Sequence, residues 1–194
     1  TDPGYRETHV YGNILIEPAG AGNRQMVHYG GDGRVRNFRK GTLFFYNNTL
    51  VSTRTDRTTL FRLSTNQERA DARNNIFYAT AAGNTVSLLD VYGVLDLSHN
   101  WIKPGWVKSF GSFKGTVNND GTMVQGSSPG FVGEAGQDYH LAPGSAAIDA
   151  GTALNPLVLP DDDVLEQYVE HLGSEPRPFD TPLDIGAFEF TSGP

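Results

Sequence analysis

Four times between residues 9 and 102 an asparagine stands between an apolar or aromatic strand-like run and a second, shorter one: HVYGNILI (9–16), TLFFYNNTLVS (42–52), ARNNIFYA (72–79) and VLDLSHNWI (94–102). The Asn immediately before each second run is Asn13, Asn48, Asn75 and Asn100, with gaps of 35, 27 and 25 residues. A period of this size marks stacked supersecondary units that bury their apolar faces only against their neighbours. In a stack of strands about 4.8 Å apart, equivalent side chains form ladders. An Asn at the bend tolerates left-handed backbone and hydrogen-bonds along the stack. The spacing therefore predicts coils of a β-helix. The longest gap carries AGAGNRQ (19–25) and GGDGRVRNFRK (30–40), expected as loops projecting from one face, where function tends to lie. A leucine-rich repeat would need a regular leucine framework that is absent. A Greek-key sandwich explains many short strands but not Asn at matching positions, and it stands as the structural alternative.

Composition agrees with an all-β chain. The 23 glycines and 11 prolines against 19% charged residues suit many short elements with frequent turns, and 194 residues suit one folded unit. A formal net charge of -7 argues against nucleic acid and anionic membrane as partners, since both require a basic footprint. The absence of cysteine removes disulfides, thiolate nucleophiles and Cys-ligated zinc. No run approaches the roughly 18 apolar residues of a membrane span, and residues 1–10 lack the basic and apolar regions of a signal peptide. No initiator Met precedes Thr1 and residues 9–16 already read as an interior strand, so a truncated or processed product is expected.

After Lys103 the repeat fades, and residues 111–131 read as turns with short strands. Residues 1–110 are thus expected to form the coils, and 111–194 a closing segment of the same domain. One short helix is expected over 161–172, with Val164, Leu165, Tyr168, Val169 and Leu172 on one face. Asp161 is its expected N-cap, His171 lies in its last turn and Gly173 ends it. Such a helix could cover an exposed coil end.

The order GNILI (12–16), MVHYGGDG (26–33), TLFFYNNTLVS (42–52), NNIFYA (74–79) resembles the right-handed parallel β-helix repeat proteins of bacteria. The run PGFVGEAGQDYHLAPGSAAIDAGT (129–152), with EPRPFD (175–180) and DIGAFEF (184–190), is similar to the closing segment of many secreted pectate-lyase-like β-helices. The resemblance implies an all-β fold, a right-handed parallel β-helix (solenoid) with a C-terminal capping segment. It also implies a secreted or cell-surface protein acting on acidic polysaccharide. In lyases of this architecture the base and the calcium ligands lie on central coils, which would precede Thr1. No catalytic residue carries over to a numbered position, and no cofactor is expected beyond room for calcium. The fold alone does not choose among lyases, hydrolases, epimerases and adhesins.

Three readings of function follow: β-elimination on an acidic polysaccharide, a non-catalytic carbohydrate-binding or adhesive role, and a structural fragment completing a longer β-helix. The open first coil at the Thr1 end is expected to be covered by further N-terminal coils or by a second chain. β-Elimination needs a cation against the uronate carboxylate and a base beside it. Arg36, Arg39 and Lys40 could supply the cation and His28 or Tyr29 the base, though a solvated loop explains the same residues. Trp101 and Trp106, flanked by Lys103 and Lys108, suit stacking on sugar rings, though a Trp beside an Ile also suits packing at the end of a coil. Asp90 and Asp96 flank a turn and strand with no carboxylate pair repeating at coil spacing, which weighs against hydrolysis. Asp161, Asp162 and Asp163 are consecutive, so their side chains diverge and no metal site is expected. Asp138, Asp149, Asp184 and Glu189 read as turn and cap partners, with Arg177 a mate for one of them.

Overall fold

The computed structural model describes residues 3–31, 40–171, 173–178 and 181–191. The chain is all-β, and its strands are dealt in rotation to three sheets. The first sheet, A, contains β1 (Glu7–Tyr11), β4 (Gly41–Tyr46), β7 (Glu68–Arg73), β10 (Val94–Ser98) and β12 (Thr116–Asn119). Sheet B contains β2 (Ile14–Glu17), β5 (Thr49–Ser52), β8 (Ile76–Ala79), β11 (Trp101–Ile102) and β13 (Val124–Gln125). Sheet C contains β3 (Gln25–Tyr29), β6 (Arg57–Leu63) and β9 (Thr85–Leu89), continued by a parallel bridge from Ser87 to Val107. Every strand pair in the three sheets is parallel, consistent with a β-helix-like fold. Parallel pairing extends past residue 110 as far as Gln125. No helix among the described residues is long and apolar enough to cross a membrane.

The register explains the core. Val10, Phe45, Ala72 and Leu97 lie side by side across sheet A, Leu15, Leu50, Phe77 and Ile102 across sheet B, and Val27, Phe61 and Leu89 across sheet C. These rows meet inside the coil, where Phe61 packs edge-on against both Phe45 and Phe77. A strand slipped by one residue would turn its row outward.

The repeated Asn forms the expected ladder at the bend between sheets A and B. The backbone N–H and the Nδ2 of Asn13 both donate to Oδ1 of Asn48, those of Asn48 to Asn75, and those of Asn75 to Asn100, at 2.9–3.1 Å. Each Nδ2 also caps a carbonyl of sheet A, such as Phe45 O for Asn75 and Ala72 O for Asn100. The left-handed backbone, however, lies one residue earlier, at Gly12, Asn47, Asn74 and His99, with φ between 49° and 68°. The bend is turned by that residue, which leaves the ladder Asn free to enter the second strand.

Beyond Gln125 the chain folds back along the outside of the coil. A hairpin of β14 (Phe131–Gly133) and β15 (Asp138–Leu141) and the segment 185–188 cover the outer face of sheet B. There Tyr139, Leu141, Ile185 and Phe188 pack with Val51, Ile76, Tyr78 and Trp101. Leu154, Val158 and Val164 cover Phe44 and Tyr46 on sheet A. The left-handed residues anchor this segment: Asn47 Nδ2 donates to Asp184 O, while Asn74 exchanges hydrogen bonds with both backbone groups of Thr152. At Gly186 (φ +112°) a Cβ would come 2.7 Å from Ile76 Cδ1, so only glycine lets the backbone lie this close to sheet B.

The helix expected over 161–172 does not form. Residues 166–169 form β16 (Glu166–Val169), antiparallel to β17 (Gly173–Pro176); Leu172 lies outside the described residues. The expected apolar face divides: Val164 is buried against sheet A, while Leu165 is 66% exposed. Gln167, on the expected polar face, is buried and bonds both Glu175 and the Glu189 N–H. Tertiary packing along the coil overrides local helix preference.

Candidate functional site

The outward side chains of sheet A are set by the same register as its core. One row reads His9, Phe44, Asp71, Asp96, Asn118, and the next reads Tyr11, Tyr46, Arg73, Ser98. Over the first two coils these rows are aromatic: His9 stacks on Phe44 and Tyr11 on Tyr46, beneath the closing segment. From β7 onward they turn polar; the closing segment still reaches Asp71 and Arg73 through Asn155 and Ala153, and beyond β7 the cover stops. A groove of about 380 Å³ remains, lined by Asp71, Arg73, Asp96, Ser98, Asn118 and Asp120.

Its polar groups are held in place by one another. Arg73 reaches Asp71 through Nε at 2.7 Å and Nη2 at 3.1 Å, and Asn155 Nδ2 from the closing segment donates to the same carboxylate at 2.6 Å. Arg69 pairs with Asp96, whose other oxygen accepts from Asn118 Nδ2 at 2.8 Å. Partial burial pushes the Asp120 carboxyl up, but hydrogen bonds from Thr122 and Ser98 outweigh it and hold the group below its ordinary value. The groove is thus lined by three carboxylates and one guanidinium, interleaved with amide and hydroxyl groups, with Arg69 pairing to Asp96 at its side. Asp71 and Asp96 are direct neighbours in register, on strands about 4.8 Å apart.

That pair corrects the expectation that no carboxylates repeat at coil spacing. Asp71 and Asp96 each stand four residues before a ladder Asn, and the 25 residues between them equal the gap from Asn75 to Asn100. The ladder itself was the signal: counting back from each Asn gives the row.

Those of the residues expected to carry β-elimination that are described lie elsewhere. Arg36 and Arg39 fall outside the described residues. His28, on β3 of sheet C, contacts Ser64 Oγ at 3.2 Å, and Tyr29 is buried. Lys40 Nζ is bound to Glu68 Oε1 at 2.7 Å and to Thr65, and Glu68 is fully buried, so this cation is neutralised within the fold. Trp101 is fully buried under Tyr78 and the closing segment, which leaves no ring face for a sugar. Lys103 Nζ donates to the carbonyls of Ala79 and Ala81, Trp106 packs against the core, and Lys108 is exposed. Among the described residues, His28 and Tyr29 on β3 are separated from Trp106 and Lys108 by the rungs of β6 and β9. Among the described residues no group of three or more His, Cys, Asp or Glu side chains is placed to hold a metal ion.

A second, larger cavity of about 540 Å³ opens beside β2, between Ile14 and Ile16 on one side and Tyr168, Val169, His140 and Phe188 on the others. His140 stacks on Phe188 and bonds Asp138 at 2.6 Å. No protein-family model, curated protein or solved structure matches the chain.

Proposed function

We propose that the chain is part of a right-handed parallel β-helix of the pectate-lyase-like kind, secreted or displayed at the cell surface, and that it binds a polysaccharide in the groove of sheet A. The observation that carries this reading is the pair Asp96 and Asn118, set in register on β10 and β12 beside the buried Asp71 and left uncovered where the preceding rungs are roofed. Carboxylates, guanidiniums and amides fixed on a rigid sheet offer alternating acceptors and donors to sugar hydroxyls, with little ordering required on binding. With carboxylates outnumbering guanidiniums and Lys40 already paired, a neutral polysaccharide fits the groove better than a uronate polymer.

The test is calorimetric titration with neutral and uronate oligosaccharides, with and without calcium, for the parent, Asp96→Asn and Asn118→Ala. A neutral glycan should bind the parent, and each substitution should weaken it by about tenfold, ~1.4 kcal/mol, while the melting temperature stays close to that of the parent. No binding by the parent, or equal binding by folded variants, would overturn the reading. Reducing ends released in the same mixtures would extend it to hydrolysis, for which carboxylates about 5–5.5 Å apart suit retention; unsaturated-product absorbance would extend it to elimination.

A further inference from the structure

We infer that the edge formed by β1, β2 and β3 is the docking face for one more coil of parallel β-structure, with an Asn at its bend between sheets A and B. These strands are the end members of sheets A, B and C, so among the described residues one side of the coil presents three unpaired strand edges together. The core is unfinished there as well. Val10, Leu15 and Val27 are only partly buried, whereas their register partners Phe45, Leu50 and Phe61 are 0% exposed. At the other end Trp106, Phe113 and Met123 lie against the same core.

The Asn ladder states what the occupant must be. It runs one way: each Oδ1 accepts from the N–H and Nδ2 of the coil before it. Among the described residues nothing donates to Asn13 Oδ1. A coil of the same sense, bearing Asn at the bend, satisfies that acceptor with two hydrogen bonds. A second copy of this chain does not. Stacked head to tail it presents Met123, the residue before Val124 in register with Trp101, and stacked face to face it opposes acceptor to acceptor. The 540 Å³ cavity beside β2 fits the same occupant, because a strand paired with β2 projects its outward side chains over Ile16 and Val169, each 38% exposed. Those side chains are apolar in the fitting coil.

The test uses the chain's own coil. A copy of residues 41–67, one repeat from sheet A to the turn after sheet C, is fused ahead of Arg6, which is level with Gly41 and Glu68 in register, and the same segment is added as a free peptide to the unaltered chain. Amide hydrogen exchange is read over β1, β2 and β3. Protection of these amides rising about tenfold in either arm, and rising less when Asn48→Ala is made in the copy, is the expected result. Parent exchange rates over all three strands in both arms, or equal protection with and without the Asn in the copy, would overturn the inference.

Discussion

Asn75 stands mid-ladder, fully buried, receiving from Asn48 and donating to Phe45 O and Asn100 Oδ1. Asn75→Asp keeps the shape and removes both donations, setting carboxylate oxygen against two acceptors in a dry site. Leaving buried polar groups unpaired costs about 1–3 kcal/mol each, so a fall of several kcal/mol in urea-unfolding stability is expected. Asn13→Asp, at the open end of the ladder, should cost well under half as much. Equal losses would mean that the ladder bonds do not set the difference. This row was legible in the sequence because its chemistry is local and repeated. The left-handed residue was misplaced by one because Asn47 and Asn74 are themselves asparagines beside the ladder Asn, and composition cannot say which of two neighbours turns the bend. Trp101, beside Ile102, reads more readily as packing than as a sugar platform, and the structure buries it under the closing segment.

At the scale of elements, the closing segment is tied together by Arg177. Its Nε and Nη2 reach Glu189 Oε2 at 3.0 and 2.7 Å, and Nη1 reaches Ala187 O at 2.9 Å, with both side chains almost wholly buried. The sequence suggested Arg177 as a mate for one of four acids, and the structure selects Glu189. Burial pushes the Glu189 carboxyl from 4.5 up to about 7, against the downward pull of Arg177. A raised carboxyl binds its proton more tightly folded than unfolded, so its contribution to stability is complete below the ordinary value near 4.5 and is lost as pH rises through about 7. The urea midpoint of the parent should therefore fall between pH 5 and pH 8, and Glu189→Gln should flatten the profile over that interval. A variant with the parent's pH dependence would assign the effect to other groups. The hairpin of β16 and β17 was not legible, because DDDVLEQYVEHL meets helical spacing and only the coil surface beneath it decides for extended backbone.

For the whole molecule, the parallel stack was readable from the period, while the path of the closing segment was not. TLFFYNNTLVS is apolar on both faces of its strands. Such a run announces burial on both sides without saying what supplies the outer layer. The outer layer proves to be the chain's own C-terminal third, laid along sheets A and B as far as β7, and its absence over β10 and β12 is what leaves the groove open. The segment is therefore a structural requirement for the coil. A chain ending after residue 128 uncovers Phe44, Tyr46, Val51, Ile76, Tyr78 and Trp101 together, all now buried. Burying one large apolar side chain contributes roughly 1.5–3 kcal/mol, and six exposed side by side form a patch larger than a soluble monomer carries. Expressed this way, the shortened chain should aggregate or bind a hydrophobic dye strongly, with the β signal of its circular dichroism reduced. A soluble, monomeric product with the parent's spectrum and little dye binding would show that the coil stands without its outer layer, and the groove would then owe its limits to the sheet alone.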